Sequence, residues 1–349
     1  MNPVLKMDVE SVIAENRDLS ALMDSTIAIT GATGFVGSFL VHVLAGYAMK
    51  HNRKIKILAM VRNEKRAREL FGMYEEAGLL SYSVGDIAAP CQYEGKLDYI
   101  IHCASNAGPK EYGADPVGTM MTNFKGTDEM MKLALKCQVK KILYASTIEV
   151  YGQTSGTEAI GEHDFGYIDA TVARSCYPES KKACETLSVS YYHQYRLPVV
   201  IGRLSYLYGP GMKQNDSKIA AQFPRLVAAG ENIVMKSRGE QLRSYTYISD
   251  AASAMLTLLN RGEAGEAYNI ATEISRITIA DLAHTLCELR PASGSKVVFD
   301  LPDEEEKKRF SFINDAVLNS EKIEGLGFCA HVSISEGLER VLKSLEYER

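Results

Sequence analysis

Short apolar stretches alternate with longer segments of helical periodicity along about the first 204 residues of the chain. Apolar runs of four to eight residues predict buried strands, and apolar residues recurring every three or four positions predict amphipathic helices. Strand-like stretches include 98–102, 141–145 and 198–203, and helix-like stretches include 122–138 and 180–195. This alternation is typical of a parallel sheet with right-handed connections and helices on both faces. We therefore predict an α/β fold with a Rossmann-like, doubly wound sheet.

A glycine run, Thr30-Gly-Ala-Thr-Gly-Phe-Val-Gly37, follows the apolar segment 25–29 and precedes a helix-like segment. In this strand-turn-helix context, Gly31 permits a tight turn, Gly34 lets backbone approach a pyrophosphate, and Gly37 allows close packing of the helix. Free N–H groups at the helix N-terminus favour an anion. The run predicts a dinucleotide site, and a glycine turn without a ligand is the alternative.

Tyr177 and Lys181 lie four residues apart on a predicted helix and so share one face. A phenol ionises near pH ~10, and a neighbouring ammonium favours the phenolate. Tyr177 is therefore predicted to be a general base that removes a proton from a substrate hydroxyl. The alternative is a tyrosine and a lysine exposed on the surface of a helix. The pair follows the glycine run by about the length of half a Rossmann domain, and this separation favours a redox site.

Ser146 and Thr147 end the apolar strand that begins at Lys141. Their hydroxyls are therefore expected at the carboxyl edge of the sheet, where open α/β sheets bind ligands. We expect Thr147 to hydrogen-bond the oxygen that Tyr177 deprotonates. Glu149 offers a second acid or base beside the new carbonyl, and a solvated loop carboxylate is the alternative for this residue.

These residues resemble the extended short-chain dehydrogenase/reductase family, in particular its NAD-dependent nucleotide-sugar epimerases, dehydratases and decarboxylases. The similarity runs from about residue 25 to 345 and includes the blocks 85–87, 102–105, 115–119, 122–127, 202–211 and 243–250. The resemblance implies that NAD oxidises a sugar hydroxyl, usually at C4, to give a 4-keto nucleotide sugar. It also implies that Thr147, Tyr177 and Lys181 are the shared catalytic group, with Glu149 acting on the ketone.

The UDP-glucuronate decarboxylases are the branch that this chain resembles most. That branch carries a glutamate in a similar Ser-Thr-x-Glu block, where this chain has Glu149. The approach to the tyrosine, Arg174-Ser-Cys-Tyr177, and the segment 104–112 are also similar to that branch. The resemblance therefore favours loss of carbon dioxide from the sugar, next to the new ketone.

A nucleotide-sugar 4-epimerase or 4,6-dehydratase is the alternative within the family. The dTDP-glucose 4,6-dehydratases carry Asp-Glu where this chain has Ile148-Glu149, and an isoleucine cannot donate a proton to the leaving hydroxyl. The run Tyr177-Pro-Glu-Ser-Lys181 departs from the Tyr-Asp-Glu-Gly-Lys of the decarboxylases, and Ser205 replaces their asparagine after the sixth strand. These departures leave the fate of the ketone open.

The resemblance also implies two sets of binding residues. The residues implied for NAD are Gly31, Thr33, Gly34, Phe35, Val36, Gly37, Arg62, Asp86, Ile87, Ala104 and Lys181, and those for the nucleotide sugar are Ser146, Arg203, Ser205 and Arg243. For Arg203, structural pairing is the alternative. Arg62 stands where NAD-binding proteins commonly place an acidic residue, and an arginine there suits a 2′-phosphate. An NADPH-dependent carbonyl reductase is therefore the more distant alternative.

The family pattern divides the chain into an N-terminal extension (1–24), an NAD-binding Rossmann domain (25–204, with 244–262 returning to it) and a substrate-binding lobe (205–243 and 263–349). The length of 349 residues suits one Rossmann domain with a smaller lobe. Helices 122–138 and 180–195 resemble those of the family's intersubunit four-helix bundle, which predicts a homodimer. The extension is expected to form a helix that docks through Val4, Leu5, Val9, Val12 and Ile13.

The net charge and the spacing of the cysteines narrow the kinds of partner, metal site and cellular location that we expect for this protein. A net charge of −5 argues against a general nucleic-acid or anionic-membrane partner. The seven cysteines show no CxxC and no zinc-site spacing, so we expect no metal and reduced thiols. No segment reaches the ~18 to 20 apolar residues of a membrane span, and the first residues lack the pattern of a signal peptide. We therefore expect a cytoplasmic location.

Overall fold

The computed structural model describes residues 1–154, 159–301 and 315–347. The strands of the described part are β1 (Thr26–Thr30), β2 (Lys56–Val61), β3 (Leu80–Val84), β4 (Tyr99–His102), β5 (Lys141–Thr147), β6 (Val199–Leu204), β7 (Tyr206–Tyr208), β8 (Ile233–Met235), β9 (Leu242–Tyr247), β10 (Ala267–Ile270), β11 (Arg276–Thr278) and β12 (Val297–Phe299). Seven of these form the main sheet, in the order β3-β2-β1-β4-β5-β6-β10.

All neighbouring strands of the main sheet are parallel. The strand order reverses between β1 and β4, and a crevice for a ligand opens at such a point, beyond the carboxyl ends of the strands. Strands in the middle of the sheet are buried on both faces, which is why β1 and β5 read as nearly continuous apolar runs. The predicted Rossmann-like α/β fold is confirmed.

The α-helices of the described part are α1 (Pro3–Glu15), α2 (Phe35–Lys50), α3 (Glu64–Glu76), α4 (Pro109–Ala114), α5 (Pro116–Cys137), α6 (Cys176–Tyr195), α7 (Ile219–Ala229), α8 (Ile248–Arg261), α9 (Ile279–Leu289), α10 (Glu321–Glu324) and α11 (Ile334–Glu346). Helix α5 begins six residues before the predicted start at Thr122. The Asp115 side chain accepts a hydrogen bond from the Gly118 N–H at 2.8 Å and so caps the helix, and Pro116 takes its first position.

The return of the chain to the main sheet differs from the prediction for 244–262. Strand β9 lies in a separate sheet of order β11-β9-β7. Of the two elements in this segment, α8 packs against β5 and β6 of the main sheet. The seventh strand of the main sheet is β10, which the prediction had placed in the lobe. The short apolar run Ala267–Ile270 has no sequence feature that distinguishes a strand of the main sheet from a strand of the lobe. Its parallel pairing with β6 assigns it to the main sheet.

The predicted docking of the N-terminal extension occurs within the chain itself. Val9, Val12 and Ile13 are buried, and α1 contacts α2, α8 and α11. The buried Asp8 carboxylate accepts hydrogen bonds from the Tyr247 hydroxyl at 2.6 Å and from Arg340 at 2.7 Å. Helix α1 therefore ties the last helix of the chain to the Rossmann domain. No helix of the described residues has the length and apolar content of a membrane span.

Candidate active site

The connection from β1 into α2 requires glycine at two positions, one in the loop and one in the first turn of the helix. Gly31 has a φ of +63°, and a Cβ there would lie 3.0 Å from the backbone of Ala104. A Cβ on Gly37 would collide with the Gly31 carbonyl oxygen. The Ala104 N–H donates to the Thr30 hydroxyl at 2.9 Å, which holds the ends of β1 and β4 together. This tight cradle at the reversal of strand order fits the pyrophosphate of a dinucleotide.

The other residues predicted for the cofactor lie along the same edge of the sheet. Thr33, Phe35, Val36, Ile87 and Ala104 are half-buried, whereas Arg62 and Asp86 are exposed. Arg62 directly follows β2, and Asp86 follows β3 by two residues. The structure therefore gathers the carboxyl ends of four strands, and their contacts with the cofactor stay predictions.

Tyr177 and Lys181 are both buried on the first turns of α6. The Lys181 ammonium donates a hydrogen bond to the Ala145 carbonyl oxygen at 2.8 Å and lies 4.8 Å from the centre of the Tyr144 ring. Burial lowers the pKa of Lys181. The lysine is thus anchored to the end of β5, which positions it next to the strand that carries Thr147.

The pKa of Tyr177 reflects its surroundings in the folded site. Burial raises the pKa of Tyr177 well above its ordinary value, and the Glu149 carboxylate raises it further, whereas a hydrogen bond with Thr147 lowers it. Burial dominates the pKa of Tyr177 in this structure, and the Lys181 ammonium donates a hydrogen bond to the Ala145 carbonyl oxygen, so the predicted effect of Lys181 on this pKa stays a prediction. Thr147, at the end of β5, is near enough to Tyr177 to lower its pKa.

Glu149 lies in the same site and is paired with an arginine. It belongs to the 3-10 turn Ile148–Tyr151 that follows β5, and its Oε2 accepts a hydrogen bond from Arg174 Nη1 at 3.1 Å. The side chain of Glu149 is 25% exposed. The solvated loop carboxylate that was the alternative is therefore not what the structure shows, because Glu149 is part of a charged pair beside Tyr177.

Two residues of the site were not assigned roles from the sequence. The Tyr112 ring stacks on the Tyr177 ring with centres 5.3 Å apart and planes 11° from parallel, and Arg174 lies 4.8 Å from the centre of the Tyr112 ring. The Tyr112 hydroxyl is buried and makes no hydrogen bond within the described residues. The only signal was that both residues fall in segments of family resemblance, and the resemblance gave neither of them a function.

Arg203 and Ser146 were predicted to contact the substrate, and both point instead to a buried carboxylate. Arg203 donates three hydrogen bonds to Glu185, the shortest at 2.7 Å, and others to the Tyr151 hydroxyl and the Glu162 carbonyl. The Ser146 hydroxyl donates to Glu185 at 2.5 Å. These contacts favour structural pairing, the alternative for Arg203, because the guanidinium is already engaged by protein oxygens on all its nitrogens.

Ser205 and Arg243 are both buried, and both belong to the segment 205–243 that was predicted to form part of the substrate-binding lobe. The hydroxyls of Ser205 and Thr246 are 2.6 Å apart, which links the residue between β6 and β7 to β9. Arg243 is buried, with its guanidinium 5.8 Å from the centre of the Tyr206 ring. The Ser205 hydroxyl is therefore engaged within the protein, and a diphosphate contact for Arg243 stays a prediction.

The chain matches the model of the family described as "NAD dependent epimerase/dehydratase family" over residues 27–271. Because the match covers well over half of the chain, the protein belongs to this family. The predicted family membership is confirmed, as is NAD as the cofactor of the family. The protein is accordingly an NAD-dependent enzyme.

Relatives and solved structures agree with this assignment. UDP-glucuronic acid decarboxylase 3 of Arabidopsis thaliana is 30% identical over 313 residues, which are 89% of this chain and 86% of the relative. The dTDP-D-glucose 4,6-dehydratase of Homo sapiens is 30% identical over 255 residues, 71% of this chain and 68% of the relative. The UDP-glucose 4-epimerase of Thermotoga maritima, solved with UDP-glucose, has a TM-score of 0.78 at 21% identity and covers 93% of this chain and 99% of its own. The last comparison confirms the fold.

Proposed function

We propose that this enzyme converts a nucleotide sugar through a 4-keto intermediate, and that UDP-glucuronate is its substrate and loses carbon dioxide. The observation that carries the proposal is the position of Glu149, a carboxylate held beside the Tyr177 and Thr147 hydroxyls by Arg174. A second acid or base at this place can act on the carbon next to the ketone. The 30% identity to UDP-glucuronic acid decarboxylases supports the same choice.

Each residue of the site has a defined task in this reaction. Thr147 holds the reacting sugar hydroxyl by a hydrogen bond, and Tyr177 removes its proton. NAD, when bound, accepts the hydride from the carbon that carries this oxygen. Lys181, anchored at the end of β5, is placed to hold the cofactor near the tyrosine. The C5–C6 bond of the keto sugar then breaks, carbon dioxide leaves, and the electron pair of that bond forms an enolate with the C4 ketone. Glu149 supplies the proton that C5 takes up, and the ketone is reduced by return of the hydride to C4 and of the proton from Tyr177 to the oxygen.

The structure supports decarboxylation over 4,6-dehydration. Ile148, at the place of the dehydratase's aspartic acid, is buried in an apolar cluster with Val150, Tyr151 and Leu318. No proton donor is therefore available from that side chain. A 4-epimerase stays the alternative, since it needs only the shared catalytic group and the return of hydride to the other face of the sugar.

Product analysis without added reductant tests the proposed reaction. The NAD-loaded enzyme is given UDP-glucuronate, UDP-glucose or dTDP-glucose, and the product mass is recorded. Loss of carbon dioxide from UDP-glucuronate is the expected result. Loss of water from dTDP-glucose, or an unchanged mass with inverted C4, would replace the proposal by one of the two alternatives.

Replacement of Glu149 by glutamine is expected to uncouple the two halves of the reaction. Oxidation of the sugar should continue, because it depends on Tyr177 and Thr147, whereas the later proton transfer should fall by about 10²-fold or more. Enzyme-bound NADH, followed by its absorbance, and the keto sugar should therefore accumulate. If neither builds up while the product still forms at the normal rate, Glu149 has no part in the second half.

A carbonyl reductase that uses NADPH is the second candidate, and Arg62 favours it. The Arg62 side chain is exposed directly after β2, where a 2′-phosphate would lie. The nearest carboxylate in sequence, Glu64, is held by Arg68 at 2.8 Å. Stoichiometric consumption of NADPH with a small carbonyl compound, and no turnover of nucleotide sugars, would establish this candidate.

We also propose a homodimer formed through α5 and α6, which pack against each other. Val117, Met120, Met121 and Phe124 lie at helical spacing on α5 and are 42% to 72% exposed. Such a stripe of apolar side chains on a helix is expected to be buried against a partner. A second copy of the pair would bury it in a four-helix bundle, as the family resemblance predicts.

Replacement of Phe124 by glutamate should shift the protein from dimer to monomer at micromolar concentration. A charge placed in an apolar interface must be desolvated without a partner, which weakens association by several kcal/mol, about 10²-fold or more in the dissociation constant. Sedimentation velocity of both proteins measures the effect. Exchange of the exposed Met73 of α3 for glutamate is the control and should leave the mass unchanged. A wild-type protein that is monomeric at this concentration would refute the dimer.

A further inference from the structure

We propose that Arg174 is the positioning residue that offsets the charge of Glu149 at Tyr177, so that Tyr177 can give up its proton. The proposal rests on Tyr177 being the base of the proposed reaction. Lys181 was predicted to favour the phenolate, and its ammonium donates a hydrogen bond to the Ala145 carbonyl oxygen. The Glu149 charge is contacted by a different cation, Arg174.

Arg174 reaches Tyr177 through a stack of planar groups. It belongs to the 3-10 turn Ala173–Ser175, which leads directly into α6. Its guanidinium lies 4.8 Å from the centre of the Tyr112 ring, and Tyr112 is in turn parallel to the Tyr177 ring at 5.3 Å. The face of an aromatic ring attracts a cation, and a planar guanidinium stacks on it better than an ammonium does. Through these two contacts, the Tyr112 ring lies between the guanidinium of Arg174 and the ring of Tyr177.

The same guanidinium is bonded to Glu149. The distance between Arg174 Nη1 and Glu149 Oε2 is 3.1 Å, and the two side chains are 44% and 25% exposed. Within the site, Glu149 raises the pKa of Tyr177, as does Tyr112, while Thr147 and Arg174 lower it. An unpaired carboxylate beside a buried phenol would oppose formation of the phenolate. The ion pair reduces that opposition while keeping the carboxylate in the site for the later step.

This arrangement explains why a carboxylate and a tyrosine base can share one small site. Removal of the guanidinium leaves the Glu149 charge uncompensated, so the phenolate forms only at higher pH. Removal of both the Arg174 and the Glu149 charge should return the pH at which the Tyr177 phenolate forms close to its original value. A residue that merely supports the fold of the turn would not show this dependence on its partner.

The test compares Arg174→Met, Arg174→Lys, Glu149→Gln and the double variant Arg174→Met/Glu149→Gln with the natural protein. NAD-loaded enzyme is mixed with UDP-glucuronate across a pH range, and bound NADH formed in the first half of the reaction is recorded. The midpoint of the pH profile should rise by about one unit in Arg174→Met, fall in Glu149→Gln and return close to the original in the double variant. Arg174→Lys keeps a positive charge, so its pH midpoint should rise less than that of Arg174→Met. Arg17→Met, at an exposed surface position, is the matched control and should keep the natural midpoint.

Two outcomes would overturn the proposal. In one, Arg174→Met lowers the amount of NADH equally at every pH with an unchanged midpoint. In the other, the double variant keeps the raised midpoint of Arg174→Met. Thermal unfolding and NAD affinity of each variant, measured alongside, identify a loss that comes from misfolding.

Failure of the proposed function gives a different result. If NADH forms but no carbon dioxide is lost, the proposed decarboxylation is wrong, and the pH midpoints still test Arg174. If UDP-glucuronate reduces no NAD, the midpoints are read by NMR titration of the tyrosine Cζ carbons in the NAD-loaded protein, with Tyr177→Phe assigning the signal. A Tyr177 midpoint that is the same with and without Arg174 would then refute the proposal.

Discussion

Replacement of Tyr177 by phenylalanine is expected to lower turnover by about 10²-fold or more and to leave NAD binding nearly unchanged. The change removes only the hydroxyl, which is the group that takes the proton from the substrate. The ring, which stacks on Tyr112 with planes 11° apart, is kept, so the packing of α6 should survive. Steady-state turnover, together with NAD affinity from fluorescence titration, measures both parts of the prediction.

The matched control for this experiment is Tyr167→Phe. Tyr167 is 65% exposed, and loss of its hydroxyl should not affect turnover. A Tyr177→Phe enzyme with near-normal turnover would exclude Tyr177 as the base. A loss of NAD affinity equal to the loss of turnover would show instead that the substitution disturbs the cofactor cradle.

The sequence predicted the parts of the fold that depend on local pattern. The glycine run between an apolar strand and a helix gave the cofactor cradle, because Gly31 needs a positive φ and Gly37 has no room for a Cβ. The apolar run ending at Thr147 gave the strand that carries the hydroxyls of the site. Both are properties of a few consecutive residues, so they can be read without knowing the rest of the structure.

Properties that depend on distant contacts could not be read in this way. Tyr112 and Arg174 are 62 positions apart, and nothing in either segment shows that they stack. The raised pKa of Tyr177 follows from burial and from Glu149, which are consequences of the assembled site. The pairing of β10 with β6 brings together segments on either side of the lobe strands. In each case the deciding interaction joins segments that are far apart in sequence and meet only in the folded chain.

Arg203 shows how the same limit applies to a single residue. From the sequence, an arginine at the end of the sixth strand suits a contact with the substrate or a structural partner equally well. The structure surrounds its guanidinium with oxygens of Glu185, Tyr151 and Glu162. The Arg203 and Glu185 side chains are 6% and 7% exposed, so both charges depend on each other for solvation. The two roles predict different effects of substitution.

Replacement of Arg203 by methionine should lower the free energy of unfolding by about 3–5 kcal/mol, because it leaves the Glu185 carboxylate buried without its cation. The Ser146 hydroxyl, which donates to Glu185 at 2.5 Å, can offset only part of that cost. Denaturant unfolding of the NAD-free protein measures the loss. The double variant Arg203→Met/Glu185→Leu should recover most of it, since no unpaired charge remains. Arg53→Met, which breaks an exposed pair with Asp24, is the control and should cost about 0–1 kcal/mol.

A substrate-binding role for Arg203 predicts the opposite pattern. The methionine variant would then unfold at the natural denaturant concentration but bind the nucleotide sugar more weakly, and removal of Glu185 would not restore anything. Since Glu185 lies on α6, the helix that carries Tyr177 and Lys181, a destabilised pair should also loosen the catalytic helix. We therefore expect the methionine variant to lose turnover in proportion to its unfolding near the transition temperature, and to keep the natural substrate affinity well below that temperature.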